Sequence, residues 1–155
     1  MNILVTGGTG FVGKALVTAL LSRGDSVTVL TRSIEKAQSV FPEKTPQFLT
    51  VLSILKDLNA FDAVINLAGE PIFDKRWTIQ QKEKLRHSRI DLTQQIVQLV
   101  NQSEYPPVLI SGSATGIYGN CGEEVITEDT NPSTQFTAQL CIDWENAAIE
   151  RKIKE

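Results

Sequence analysis

Ile3-Leu4-Val5-Thr6-Gly7-Gly8-Thr9-Gly10-Phe11-Val12-Gly13 is an apolar run followed by a loop with glycine at every third position from Gly7. Residues 3–6 are rich in β-branched side chains and read as a buried strand. Val12, Ala15, Leu16, Ala19 and Leu20 then recur at helical spacing, and Gly24 supplies a stop. A second strand follows at 27–30. In this setting each glycine has a separate use. Gly7 permits the tight turn. Gly10 lets the backbone approach a pyrophosphate, and Gly13 lets helix and strand pack closely. The helix start, including Phe11 and Val12, then presents unpaired N–H groups and a positive dipole end to phosphate. A glycine loop alone can be no more than a turn. The order strand, loop, helix, strand makes it a dinucleotide-binding signal.

Further along, Ser33 caps a short helix over residues 34–40, with Glu35 in its first turn. Residues 41–46 form a loop and 48–52 a third strand, and Lys56-Asp57-Leu58-Asn59 gives a weak helix. Residues 62–69 are a buried strand closed by glycine. Thr78 opens one long helix running to about Ser103, with Leu85, Leu92, Ile96, Leu99 and Val100 as its apolar line and Pro106-Pro107 as its stop. Residues 108–111 form a fifth strand and 119–134 a loop. A last helix begins near Gln135, with Phe136, Leu140, Trp144, Ala147 and Ala148 on one face. Strands alternating with helices imply parallel pairing with helices on both faces. The expected fold is an α/β doubly wound sheet of the Rossmann type, one NAD(P)-binding domain over residues 1–155. Its ligands bind beyond the carboxyl ends of the strands, where strand order reverses.

The chain has 155 residues, which fits one domain. Fifteen basic against 18 acidic residues give a net charge of −3 and no basic excess for nucleic acid. The N-terminus lacks the basic region of a signal peptide, and no apolar run approaches the ~20 residues that cross a bilayer. The expectation is a cytoplasmic protein with reduced thiols. Cys121 and Cys141 are twenty apart and His87 is the only histidine, which excludes a zinc site.

The cofactor type is read at the end of the second strand. An NAD site carries a carboxylate there for the ribose 2′-hydroxyl. This chain has Thr31-Arg32-Ser33 and no carboxylate from 29 to 34. Arg32 can fork onto a 2′-phosphate and Thr31 or Ser33 can donate to it, so NADP(H) is favoured over NAD(H).

The glycine loop, Val29-Leu30-Thr31-Arg32-Ser33, Ala63-Val64-Ile65-Asn66-Leu67-Ala68-Gly69-Glu70-Pro71-Ile72, Lys75-Arg76-Trp77, Ser88-Arg89-Ile90, Ser111-Gly112-Ser113-Ala114-Thr115-Gly116-Ile117-Tyr118-Gly119 and Trp144-Glu145 span nearly the whole chain. With them the sequence resembles the extended short-chain dehydrogenase/reductase superfamily, and within it the atypical, epimerase-like YfcH family. The resemblance implies that Leu67, Ala68 and Gly69 line the cofactor and that Ser113 polarises a substrate carbonyl. It implies an NADP(H)-dependent oxidoreductase or epimerase acting on a small molecule, of which sugar nucleotides are one class. It also suggests a homodimer formed through the 78–103 helix and the last helix.

Two departures stand beside it. The superfamily's tyrosine with a lysine four residues later is missing. Tyr105 and Tyr118 are the only tyrosines, with Leu109 and Gly122 in the lysine positions. Extended members are also about twice as long, so their C-terminal substrate portion is expected to lie outside this chain. A non-catalytic NADP(H)-binding regulator or scaffold is the rival expectation.

Other groups have plainer readings. Cys141 reads as a packing cysteine. Glu70, Lys75, Arg76 and Trp77 form either a salt-bridged loop or a contact to the nicotinamide end. Lys82, Lys84, Arg86, His87 and Arg89 form a solvated basic face, with phosphate contact by Arg86 or Arg89 as the alternative. Glu123, Glu124, Glu128 and Asp129 form a solvated acidic loop.

Overall fold

The computed structural model describes residues 1–150. Five parallel strands lie in the order β3-β2-β1-β4-β5. They are β1 (Asn2–Thr6), β2 (Ser26–Leu30), β3 (Gln47–Leu49), β4 (Ala63–Asn66) and β5 (Val108–Ser111). The chain runs outward from β1 to β3 on one side, then returns to lay β4 and β5 on the other. The order therefore reverses between β1 and β4, whose ends are in register with Thr6 opposite Asn66.

The two faces of the sheet feed two cores. Ile3, Val5, Val27, Val29 and Ala63 face α1 (Phe11–Arg23) together with Val17 and Leu20. Leu4, Leu49 and Val64 face the opposite way, onto Ile96, Leu99 and Val100 of α4 (Ile90–Gln102). Period-two alternation on strands buried on both sides accounts for the near-continuous apolar runs in the sequence. Gly24 ends α1 at φ +93°, a left-handed cap whose N–H returns to Leu20 and Leu21. Ser33 caps α2 (Ile34–Val40) by accepting from the Lys36 N–H.

Three sequence expectations change. The third strand is confined to Gln47–Leu49. No helix forms at 56–59, and the only helical turn nearby is a short 3₁₀ turn at Leu52–Ile54. The expected long helix is two helices, α3 (Ile79–His87) and α4. Thr78 does open α3, accepting from the Gln81 N–H. The break falls at Ser88 and Arg89, where Arg89 has φ −110° and ψ −59°. There the Ser88 hydroxyl donates to the Leu85 carbonyl at 3.0 Å, and the Arg89 side chain reaches back to the same carbonyl at 3.3 Å. Leu85 and Leu92 lie seven residues apart, a spacing that an unbroken helix would also give, so the apolar line does not mark the interruption.

The last helix, α5 (Phe136–Ile149), packs mainly on α4, burying Leu140, Cys141, Trp144 and Ala147. An Arg86–Asp143 ion pair at 2.6 Å ties α3 to it, and Trp77 and Lys82 both lie against the Phe136 ring. β5 ends the sheet on one side, with Val108 and Ile110 more than half exposed. Among the described residues no helix is long and apolar enough to cross a membrane, and no cluster of metal-ligating side chains occurs.

Candidate functional site

The glycine loop leaves β1 and turns over the end of β4. Gly7 sits at φ +68°, and a Cβ there would meet the Leu67 carbonyl oxygen at 2.6 Å and the Ala68 nitrogen at 2.8 Å. Gly13 is tighter still, since its Cβ would lie 2.1 Å from the Gly7 carbonyl oxygen. A Cβ on Gly10 would meet only that same carbonyl, at 3.2 Å. The outer side of Gly10 is therefore open. Gly10 also caps α1 with no side-chain acceptor, so the first N–H groups of a 13-residue helix face outward uncapped. Phe11 is 99% exposed and Val12 is also exposed. Gly8, given no role from the sequence, packs its Cα against Val29 and Val17.

One strand over, Thr31 and Ser33 differ from Arg32. The Thr31 hydroxyl donates to the Ser33 carbonyl and accepts from the Ser33 N–H, while the Ser33 hydroxyl caps α2. Both hydroxyls are engaged in building the turn. Arg32 is exposed and makes no ion pair among the described residues. It keeps a full guanidinium fork available at this strand end, beside the Ser33 hydroxyl proton, since Ser33 serves α2 only as an acceptor.

The end of β4 rests on a buried polar network that the apolar pattern did not reveal. Asn66 is fully buried. Its Oδ1 accepts from the Thr6 hydroxyl at 2.6 Å, and its Nδ2 donates to Thr93 at 2.8 Å and Ser111 at 3.2 Å. The Thr6 hydroxyl accepts from the Ala68 N–H at 3.2 Å. The Thr93 hydroxyl in turn donates to the Arg89 carbonyl at 2.7 Å and accepts from the Trp144 indole at 3.0 Å. One asparagine thus joins β1, β4, β5, α4 and α5 and sets the direction in which Leu67, Ala68 and Gly69 leave the strand.

Arg89 lies directly beneath that segment. Its guanidinium donates to the Glu70 carbonyl at 3.1 Å and stacks on the Trp144 ring at 5.4 Å. A Cβ on Gly69 would meet it at 2.8 Å. Burial pulls its pKa below the usual arginine value. The sequence offered phosphate contact for Arg86 or Arg89. Instead Arg86 pairs with Asp143, and Arg89 points into its own chain.

After β5, Gly112 donates to the Asn66 carbonyl at 2.9 Å and packs on Trp144. Ser113 follows, exposed, and its hydroxyl donates to the Glu145 carboxylate on α5. Cys141, one turn before Glu145, is buried, and its thiol pKa is raised by burial and then by Glu145. A neutral thiol suits the packing role read from the sequence. Tyr118 is half-buried at the end of a 3₁₀ turn (Thr115–Ile117), and Tyr105 is exposed before the start of β5, at the opposite end of the sheet. The loop from 70 to 77 closes on itself through an exposed Lys75–Glu70 pair at 3.4 Å and the Trp77 indole donating to the Ile72 carbonyl. Glu123, Glu124, Glu128 and Asp129 are exposed.

The structure therefore brings the loop from Gly7 to Gly13 against Leu67 and Ala68, with Gly69 above Arg89 and Ser113 reached through Gly112. Thr31 and Arg32 flank this cleft from the next strand.

Comparison with known proteins agrees with this geometry. The model of the NAD dependent epimerase/dehydratase family matches residues 3–153. An Arabidopsis thaliana protein described as a chloroplastic epimerase family protein SDR39U1 homolog is 36% identical over 156 residues, covering 97% of this chain and 45% of its own. The crystal structure of human epimerase family protein SDR39U1 with NADPH is 29% identical at a TM-score of 0.81, covering 96% of this chain and 48% of that one. A UDP-glucuronic acid 4-epimerase from Bacillus cereus, in complex with NAD, shares the fold at a TM-score of 0.74 and 24% identity, covering 96% of this chain and 51% of its own. The chain spans about half the length of each.

Proposed function

Because this chain belongs to the NAD dependent epimerase/dehydratase family, within the atypical short-chain dehydrogenase/reductase group, we propose that it holds NADP(H) as the cofactor-binding half of an oxidoreductase or epimerase. One observation carries the reading. The uncapped N-terminus of α1, cleared of side chains at Gly10, lies beside the segment from Leu67 to Gly69 and one strand from the exposed Arg32. The residues fit the cofactor chemically. N–H groups at Phe11, Val12 and Gly13 suit a pyrophosphate, and Gly10, whose own N–H is given to the Gly7 carbonyl, clears the approach by lacking a side chain. Arg32 suits a 2′-phosphate, and the Thr31 hydroxyl shapes the turn that presents it. When bound, the nicotinamide would supply hydride transfer. Ser113 then orients a substrate carbonyl by donating its hydroxyl proton, and Glu145 holds that hydroxyl in place beforehand. A sugar nucleotide is the substrate class proposed, with the sugar portion held by residues outside this chain.

The NADPH in the human relative supports the phosphate-bearing cofactor, and Arg32 is the cation at this strand end suited to its 2′-phosphate. Calorimetric titration with NADP⁺ and with NAD⁺ tests it. NADP⁺ should bind at least about tenfold more tightly, a difference of about 1.4 kcal/mol. Equal affinities would remove Arg32 from the reading, and no binding of either would remove the reading itself.

A second reading is NADP(H) binding without turnover. The observation favouring it is that α5 offers Thr137, Cys141 and Glu145 on its inner turns where a tyrosine–lysine pair would be expected. Under it, cofactor binding changes association with a second copy or another protein, which sedimentation with and without NADPH would detect.

A further inference from the structure

We propose that Arg89 and Ser88, at the break between α3 and α4, are the positioning residues of the cofactor cleft, holding the strand end at Leu67–Glu70 from beneath. This rests on the NADP(H) reading above but concerns residues that need not touch the cofactor. Glu70 is gripped at both of its backbone groups. Its N–H donates to the Ser88 hydroxyl at 2.9 Å, and its carbonyl accepts from Arg89 Nη2 at 3.1 Å. Gly69 lies flat on the guanidinium, where even a methyl group would collide at 2.8 Å. Arg89 is in turn fixed on three sides. Its Nη1 donates to the Leu85 carbonyl at 3.3 Å, the Trp144 ring stacks on it at 5.4 Å, and its own carbonyl accepts from Thr93 at 2.7 Å.

The helix break is what makes this grip possible. In an unbroken helix the adjacent Ser88 and Arg89 side chains would point about 100° apart around one axis. Interrupting it turns both toward the same residue, Glu70. A half-buried cation also has a cost, visible in its lowered pKa, and a surface lysine would avoid that cost. A fork of fixed N–H donors meets two carbonyls at once, which an ammonium on a flexible stem does not reproduce. Together with the Ala68 N–H bond to Thr6, the clamp fixes successive peptide planes of the segment that, in the reading above, faces the cofactor.

The test uses the whole chain, titrated with NADP⁺, alongside amide hydrogen exchange without ligand. Wild type must first bind NADP⁺. If it does not, the functional reading fails, and the clamp is then judged by exchange alone. In Arg89→Ala the Glu70 amide should exchange at least about tenfold faster than in wild type, and NADP⁺ affinity should fall about tenfold. Millimolar methylguanidinium should restore affinity to Arg89→Ala and leave wild type unchanged. Arg89→Lys should keep the charge yet recover only a minor part of the affinity. Should Arg89→Ala fail to fold, Ser88→Ala carries the test, with faster exchange at Glu70 and about threefold weaker NADP⁺ binding expected. Unchanged exchange at Glu70, or lost affinity that methylguanidinium and lysine restore no better than in an unrelated variant, would overturn the proposal.

Discussion

Gly13 stands so close to Gly7 that a single added carbon on the helix residue would lie 2.1 Å from the carbonyl oxygen of the loop residue. That oxygen also accepts the Gly10 N–H at 2.9 Å, so it cannot move aside without breaking the turn. Gly13→Ala should therefore destabilise the chain by at least about 3 kcal/mol, the upper end of overpacking costs. Gly24→Ala is the control. That position has φ +93° but nothing within 4 Å, so it should cost only the left-handed penalty of about 1–2 kcal/mol. Urea unfolding of both variants separates close approach from backbone conformation, and equal costs would refute the packing argument.

Asn66 supplies a second stability prediction. Its amide serves Thr6, Thr93 and Ser111 at once, in a site closed to water. Asn66→Ala removes the acceptor of the buried Thr6 hydroxyl and a donor each from Thr93 and Ser111, on three neighbouring elements. About 3 kcal/mol should be lost, together with protection of the Ala68 amide, whose acceptor is Thr6. Asn66→Asp tests the geometry separately. It keeps the acceptor for Thr6 and removes the donor, so its loss should be comparable when the carboxylate is ionised. A denaturation midpoint near wild type in either variant would show that the network is not a stabilising unit.

These two residues mark how far the sequence could be read. The strand at residues 108–111, the Ser33 cap and the left-handed Gly24 stop all follow from local chemistry: apolar runs, a hydroxyl before a helix, a residue without Cβ. Alternation gives the parallel pairing, and helices on both faces imply that strand order reverses, while the place of the reversal, between β1 and β4, is given by the structure. What hides from such reading is polar and tertiary. Asn66 sits inside an apolar strand and is indistinguishable there from a surface residue until its partners arrive from 27 and 45 residues away. Arg89 reads as one more charge on a basic face, because the Glu70 carbonyl that receives it lies on a different element. The helix break has the same origin, since period 3.6 reports apolar burial and says nothing of a serine and an arginine turning to a loop. Of the candidate site, the tight turn at Gly7 and the close approach at Gly13 were legible in the glycine spacing, whereas the packing of Gly8 against Val29 and Val17 was not. The distinction between Arg32 and its neighbouring hydroxyls was not, because it depends on where Thr31 and Ser33 spend their hydrogen bonds.

Arg32 gives the sharpest functional prediction. The Thr31 hydroxyl donates within its own turn and Ser33 is uncharged, so the main discrimination between the two cofactors falls to the Arg32 cation. Arg32→Ala should weaken NADP⁺ about 30-fold, near 2 kcal/mol, while changing NAD⁺ by less than about twofold. The NADP⁺ affinity of wild type should also fall with added salt more steeply than that of the variant. If NAD⁺ weakens equally, Arg32 contacts the shared part of the cofactor and the assignment of the 2′-phosphate site is wrong.

Asp25 governs the acid limb of stability at the end of α1. Its carboxylate accepts from Arg23 at 2.6 Å and from the N-terminal ammonium at 3.0 Å, and the Arg23 bond foremost holds its pKa below the ordinary aspartate value. A depressed folded-state pKa means that the unfolded chain binds the proton more readily. The stabilisation is thus fully present above the unfolded value of about 3.9 and is lost as pH falls through the lower, folded value. Asp25→Asn should flatten the stability curve in that acid window and leave its slope from pH 6 to 8 unchanged. An identical acid limb in the two proteins would assign the loss to other carboxylates.

The β5 edge makes a prediction about association. Val108 is 57% exposed and Ile110 52%, on the same face of a strand whose outer backbone groups have no neighbouring strand among the described residues. Unpaired edges of this kind recruit other edges, and a single charge on the outer face blocks the approach because it cannot be desolvated between paired strands. Ile110→Lys should therefore raise the concentration at which the chain stays monodisperse in light scattering. Its thermal stability should stay within about 0.5 kcal/mol of wild type, as for other substitutions at exposed positions. Val108→Lys, on the same face, should act alike, whereas Leu109→Lys should unfold the chain, because Leu109 packs into the core shared with Ile96 and Val100. If Ile110→Lys instead leaves self-association unchanged, the contact between copies is made elsewhere. The exposed surfaces of α3, α4 and α5, which correspond to the helices named for a homodimer, would then be the next to be charged and tested.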